Sequence, residues 1–262
     1  GLYDITLATV KNLQPKPPDI IFLHIQNPSI ITLDFIKELS TYSFVINYTF
    51  DVRKNIEWYK SIAPHIGLTL FSNMTDVQLM KEAGYENVDY LQTSVDYNLY
   101  CNNNNAPIDL PPEIVFIGNN FLNTQLDFEL SGERKEMVDF LYKTYPQKFS
   151  VFGMGWSKRI INTPEDQRNV YCGASIAINH NQFDYNMYTS DRIFRIMGCG
   201  TFCITKHFNG IETMFDVGKH LITWRTLDEL KIKIDHYLEH PYEREKIALA
   251  GMKHVIENHT WT

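Results

Sequence analysis

Short apolar runs alternate along this chain with amphipathic stretches of helical spacing. In the first third, residues 19–24, 42–48, 66–71 and 87–91 read as strands. Helical patterns occupy 31–39 and 55–63 between them. The run at 19–24 follows a proline cluster and is apolar without alternation, as a buried parallel strand is. Thr75-Asp76-Val77-Gln78 reads as a capping box, and Gly84 closes the helix it opens. The second half repeats the alternation, with strands expected over 114–118, 149–152, 175–179, 201–205 and 220–224. Thr163 caps a helix that has Pro164 at its first position, Glu165 and Asp166 in its first turn and Gly173 at its end. Thr226-Leu227-Asp228-Glu229 is a second capping box, opening a helix to about residue 238, and Pro241 starts the final helix. Strands alternating with helices predict an α/β fold with parallel sheets.

The clearest boundary is residues 101–112, CNNNNAPIDLPP. Four asparagines and three prolines there suit neither a helix nor an inner strand. This segment reads as a linker between a first domain over 1–104 and a second over 113–262.

Composition narrows the picture. The chain has 262 residues, 44% hydrophobic and 13% aromatic, enough for one large or two small globular domains. A net charge of −7 argues against bulk nucleic-acid binding, although a local basic groove is compatible with it. Cys101, Cys172, Cys199 and Cys203 show no zinc-type spacing. Cys199 and Cys203 read as buried small residues, and free cysteines without a disulfide framework suit a reducing compartment, so the expected location is cytoplasmic. No run of apolar residues is long enough for a membrane span. The start, Gly-Leu-Tyr-Asp, lacks both a methionine and the regions of a signal peptide, and the expectation is a piece of a longer protein or a trimmed chain.

The stretch with most chemistry runs from Ser190 to Thr205. Ser190 reads as an N-cap, with Asp191 complementing the helix dipole. Ile193, Phe194, Ile196 and Met197 form one apolar face, Gly198 and Gly200 are expected to stop the helix, and a buried strand follows. A helix start at a sheet edge is a ready anion site.

Three segments together resemble the two-Rossmann (GT-B) glycosyltransferases, most closely the CgeB-like, spore-maturation type. The first is Ile114-Val115-Phe116-Ile117-Gly118-Asn119, with Gly132-Glu133-Arg134 opening the next helix. The second is Val151-Phe152-Gly153-Met154-Gly155-Trp156. The third runs from Ser190 through Phe208-Asn209-Gly210-Ile211-Glu212 to His259-Thr260-Trp261. The resemblance covers roughly residues 111–261. It implies two Rossmann-like domains facing across a cleft, the first binding the acceptor and the second a nucleotide-diphosphate sugar of UDP or GDP type. Residues 92–96 resemble the segment before the hinge, and family members continue past the histidine-threonine-aromatic segment with a helix returning to the first domain.

The resemblance also implies the site residues. Gly118, Asn119 and Asn120, together with Arg134, approach the donor phosphates, and Gly153, Gly155 and Trp156 form a donor-site loop. His180 follows a strand at the carboxyl edge of the sheet, where α/β ligands bind. Tyr188, Thr189, Ser190 and Asp191 precede or open the diphosphate-binding helix, and Arg192 and Arg195 share one of its faces. Glu212 is a candidate for sugar hydroxyls. For the proton of an acceptor hydroxyl, Asp51 is the preferred base and His24 the second, with a base-free retaining mechanism as the alternative. No cofactor or metal is expected, because helix N–H groups and arginines take the leaving-group charge. One position departs from the family: the glutamate that holds the donor ribose in many GT-B enzymes is Arg195 here, which puts ribose recognition in question. The alternatives to a transferase are a non-catalytic nucleotide-sugar-binding or regulatory protein, a sugar-nucleotide epimerase or hydrolase, and a viral-type DNA-base glucosyltransferase.

Overall fold

The computed structural model describes residues 16–25, 31–50, 52, 56–101, 113–125, 128–156, 161 and 163–261. Residues 102–112 of the expected linker lie outside them. The chain packs as two compact units, Gly1–Gln92 with Tyr185–Met187, and Thr93–Asp184 with Tyr188–Thr262.

The first unit is a sheet of four parallel strands, β1 (Ile20–Leu23), β2 (Phe44–Thr49), β3 (Leu68–Phe71) and β4 (Val88–Tyr90), in that spatial order. Helices α1 (Leu33–Leu39), α2 (Glu57–Ile62) and α3 (Met74–Glu82) connect them. Each connection steps one strand in the same direction, so right-handed crossovers place all three helices on one face. Phe35, Ile36 and Leu39 of α1, Tyr59 and Ile62 of α2, and Val77 and Met80 of α3 pack there with Val45, Phe71 and Val88. The opposite face leaves Ile20, Phe22 and Phe44 exposed.

One capping assignment is corrected here. The N-cap of α3 is Asn73, whose Oδ1 accepts from Asp76 N at 2.7 Å, and not Thr75. The Thr75 hydroxyl instead accepts from Asn186 N, 111 positions away. A tertiary contact takes the group that a local reading assigns to the cap. Asp76 is buried beside Asn73, and burial raises its carboxyl to about 6.

The second unit opens with α4 (Tyr97–Tyr100) and holds five parallel strands in the order β6-β5-β7-β8-β9. These are β5 (Ile114–Ile117), β6 (Phe149–Phe152), β7 (Ile176–Asn179), β8 (Phe202–Lys206) and β9 (Ile222–Trp224). Helices α5 (Ser131–Thr144) and α6 (Pro164–Gly173) follow β5 and β6, and α7 (Arg192–Gly198) and α8 (Ile211–Met214) follow β7 and β8. The chain ends with α9 (Leu227–Glu239) and α10 (Pro241–Asn258). From β5 the chain first moves to β6 on one side, then to β7 on the other. The carboxyl ends of β5 and β7 therefore flank a topological switch point, where open α/β sheets bind ligands. Both helix starts read from local sequence hold: Thr163 Oγ1 accepts from Asp166 N, and Thr226 Oγ1 from Glu229 N.

One sheet face is packed by α5, α9 and α10 through residues such as Met137, Leu141, Ile234 and Ile247, against Phe116, Ile178, Ile204 and Trp224. The other is packed by α7 through Ile193, Phe194 and Ile196, against Val115, Ile117, Ala177 and Cys203. Of the two cysteines expected to be buried, Cys203 is, whereas Cys199, at the end of α7, is only half-buried. No helix among the described residues is long and apolar enough to cross a membrane.

Gly251 lets α10 approach the chain at His220. A Cβ there would stand 2.3 Å from the His220 carbonyl oxygen, which is backbone and cannot swing aside. Gly251→Ala is expected to destabilise the second unit by about 1–3 kcal/mol, seen as a lower midpoint in urea unfolding.

Candidate functional site

The site is built on the switch point of the second sheet. Phe116 of β5 is fully buried, and two arginines sit against its ring, each with its guanidinium carbon 5.4 Å from the centroid. Arg134, in the first turns of α5, is 2% exposed. It donates from Nη1 to Asn119 O at 3.1 Å and from Nη2 to His180 O at 2.5 Å. Arg192 opens α7 and is half-buried. It donates from Nε to Ile117 O, and from Nη1 to Asn179 Oδ1, His180 O and Ser190 Oγ at 3.1–3.2 Å. Its Nη2 lies over Gly118, 3.1 Å from where a Cβ would stand.

Carbonyls and neutral oxygens hold both cations; among the described residues no carboxylate pairs with either. Burial, reinforced by Arg192, pushes Arg134 well below the ordinary arginine value. A buried cation beside a half-buried one, without an anion, is costly, of the order of several kcal/mol. Chemically, the arrangement can take up a polyanion.

Two loops lie next to this pair. The loop after β5 and the loop after β6 are joined by Gly118 N to Phe152 O and Asn120 N to Met154 O, both 2.8 Å, by Met154 N to Asn119 Oδ1 at 3.0 Å, and by Trp156 Nε1 to Gly118 O at 2.5 Å. Asn120 Nδ2 adds a bond to Gly155 O at 3.3 Å. Gly153 (φ +133) would carry its Cβ 2.3 Å from Gly118 O, so the close approach of the loops requires glycine there. The expected donor-loop glycines thus have a packing reason in this fold.

The segment before α7 is organised by Asn181. Its Nδ2 donates to Tyr188 O at 2.9 Å, and its Oδ1 accepts from Thr189 Oγ1 at 3.2 Å and from Ser190 N at 3.4 Å. Tyr188 and Thr189 are buried. The expected cap is corrected: α7 begins at Arg192, Asp191 holds the N-cap position without a side-chain cap bond, and the Ser190 hydroxyl serves Arg192 instead. The helix stop holds in position. α7 does end at Gly198, but without the left-handed turn expected there: a Cβ on Gly198 would meet Cys101 Sγ at 2.9 Å, and Gly200 is the glycine with positive φ, at +69.

Arg192 and Arg195 do not act together. Arg195 is ion-paired with Asp191, donates to Gln167 Oε1 at 2.9 Å and lies 5.5 Å over the Tyr100 ring. Glu212, in the first turn of α8, meets His207 Nε2 at 3.1 Å, and a backbone hydrogen bond and this histidine hold its carboxyl below the usual range. In the first unit, His24 is exposed just after β1, edge-on to Phe50 at 4.1 Å. Asp51 lies outside the described residues. Asn179 carries no motif in the sequence, being the last residue of an apolar run, yet its side chain joins Arg192 to Thr205.

Residues 134–262 match the family model described as glycosyl transferase-like. This part, a little under half of the chain, is similar to glycosyl transferase-like domains. It begins at Arg134, the buried member of the arginine pair, and contains Arg192 as well. A comparison with curated proteins finds no match. Solved structures resemble the whole chain at low identity. HepE from Anabaena, solved with UDP-glucose, is 11% identical, with a TM-score of 0.66 over 99% of this chain and 78% of that one. A glycosyltransferase from Rickettsia africae is 12% identical, with a TM-score of 0.62 over 98% and 76%. Sucrose-phosphate synthase from Thermosynechococcus elongatus is 10% identical, with a TM-score of 0.61 over 99% and 73%. The two parallel-sheet, Rossmann-like domains are those of the GT-B fold.

His180 gives this domain a pH signature. It is fully buried, and burial together with Arg134 lowers its imidazole from 6.5 to about 3. Between those values the unfolded chain binds a proton that the folded ring refuses. The stability its neutral form contributes is complete above pH 6.5 and is lost as pH falls toward 3. Urea unfolding at about pH 7 and about pH 4.5 should show this loss, and His180→Gln should lose less between the two.

Proposed function

We propose that this chain is a glycosyltransferase that moves a sugar from a nucleotide-diphosphate sugar, of UDP or GDP type, to an acceptor. The observation that carries the reading is the pair Arg134 and Arg192, two neighbouring cations without a carboxylate partner at the β5/β7 switch point. A diphosphate supplies the charge they lack. As the bond from the sugar to the diphosphate breaks, negative charge grows on the leaving oxygen, and a fixed guanidinium stabilises it without reorganising. The UDP-glucose bound by Anabaena HepE is a donor of the same class. The arginines take the role a metal would otherwise fill, so binding should persist in chelator.

Calorimetry with UDP and GDP in EDTA tests this directly. Arg192→Ala is expected to weaken binding by about 1.5–3 kcal/mol, roughly ten- to hundredfold, while Arg195→Ala leaves it near the parental value. Binding that appears only with a divalent cation, or that survives Arg192→Ala unchanged, would remove the basis of the reading.

For the acceptor proton we propose Asp51 as general base, with His24 as the second candidate. Asp51→Asn should retain nucleotide affinity and lower transfer by about 10²–10⁴-fold. Parental transfer by this variant would point to His24 or to a base-free retaining step. The position of Arg195, bound by Asp191 and Gln167, favours the second reading, a non-catalytic nucleotide-sugar-binding protein. Nucleotide release from UDP- and GDP-sugars over time separates the two.

A further inference from the structure

The carboxyl edge of the second sheet carries another group of polar atoms that the diphosphate does not use. Lys206 and Trp224 are register partners on β8 and β9, and His180 directly follows β7 on the other side of β8. The His180 and Trp224 rings are 6.0 Å apart. Both residues are more than nine-tenths buried, and neither His180 Nε2 nor Trp224 Nε1 has a hydrogen-bond partner among the described residues. Buried polar atoms of this kind are rare and call for an occupant.

The chemistry of the two atoms selects that occupant. His180 Nδ1 lies 2.7 Å from Asn181 O, which only accepts. The ring proton therefore sits on Nδ1, and Nε2 is a bare acceptor. The indole N–H of Trp224 only donates. A phosphate or carboxylate oxygen has no proton for His180, and an ammonium has no lone pair for Trp224. A hydroxyl satisfies both, donating to Nε2 and accepting from Nε1.

Space for a larger molecule adjoins Trp224. Trp224 lines a cavity of about 360 Å³ together with Lys206, Arg225, Glu133 and Glu136. Lys206 is ion-paired with Glu133, and these two also line a smaller cavity of about 70 Å³ beside Asn181 and His207. The pair thus stands between two cavities whose walls hold carboxylates, cations and an amide, the mixed donors and acceptors that a polyhydroxylated ring requires. His180 links this region to the arginine pair, since its carbonyl accepts from both Arg134 and Arg192.

We propose that the trough around the Lys206–Glu133 pair is a carbohydrate subsite in which one sugar hydroxyl bridges His180 Nε2 and Trp224 Nε1. The proposal rests on the nucleotide-sugar reading above. Lys206 and Glu133 part to admit the ring.

Titration calorimetry with UDP, GDP and their glucose conjugates tests it. The parent should bind a conjugate more tightly than the matching diphosphate. Trp224→Phe keeps the ring and removes the donor. It should bind the diphosphate as the parent does and lose about tenfold of affinity for the conjugate alone. Lys206→Met, on the cavity wall, should show the same selective loss and replaces Trp224→Phe if that variant does not fold. Equal affinity of the parent for diphosphate and conjugate, or a Trp224→Phe effect equal on both, means that only water occupies the position and overturns the subsite. A parent that binds neither class overturns the donor reading itself.

Discussion

The site depends on two cations placed where only uncharged oxygens meet them. Arg134 and Arg192 both draw on His180 O, and both rest on the Phe116 ring. Because the arginines lack carboxylates, their positive charge is not cancelled locally and stays available to a ligand. The cost is a buried charge held by dipoles, which is tolerable only if those dipoles are fixed. The surrounding structure does this. Ile117 O and Asn179 Oδ1 come from strand ends, and Asn179 is in turn held by Thr205 through its Nδ2. Local helix capping gives way to the same demand: the Ser190 hydroxyl serves Arg192, and the Asp191 carboxylate serves Arg195.

Much of the fold was legible because its signals are local. Apolar runs bounded by glycine, proline or capping residues mark the strands, and Thr163 and Thr226 cap their helices through bonds three residues long. The misreadings share one cause. Thr75 and Ser190 are residue types with strong local preferences, and each is used instead by something the local sequence does not show: the Asn186 amide and the Arg192 guanidinium. Arg192 and Arg195 could be read as a pair from their spacing. Their separation into a cation facing the switch point and a structural cation held by Asp191 and Gln167 depends on α6 and α7 meeting, which spacing alone does not encode.

The polar row at the carboxyl edge was harder still to read. His180 could be singled out by its place after a strand, but Trp224 and Lys206 close ordinary-looking strands. Their proximity follows only from the strand order β7-β8-β9, which the alternation of helices and strands leaves open. Topology, more than residue type, brings these side chains together.

The loops after β5 and β6 have a consequence for anyone who would alter this protein. Four kinds of contact join them: paired main-chain bonds, the Asn119 amide, the Trp156 indole, and a glycine approach too close for any side chain. Joined in this way, they form a single interchangeable part. A loop grafted from a relative at Gly118–Asn120 would arrive without its counterpart at Gly153–Trp156 and would find no complementary surface. Exchange of this part by recombination, in the laboratory or in descent, must therefore move both loops together, although they stand more than thirty positions apart in the chain.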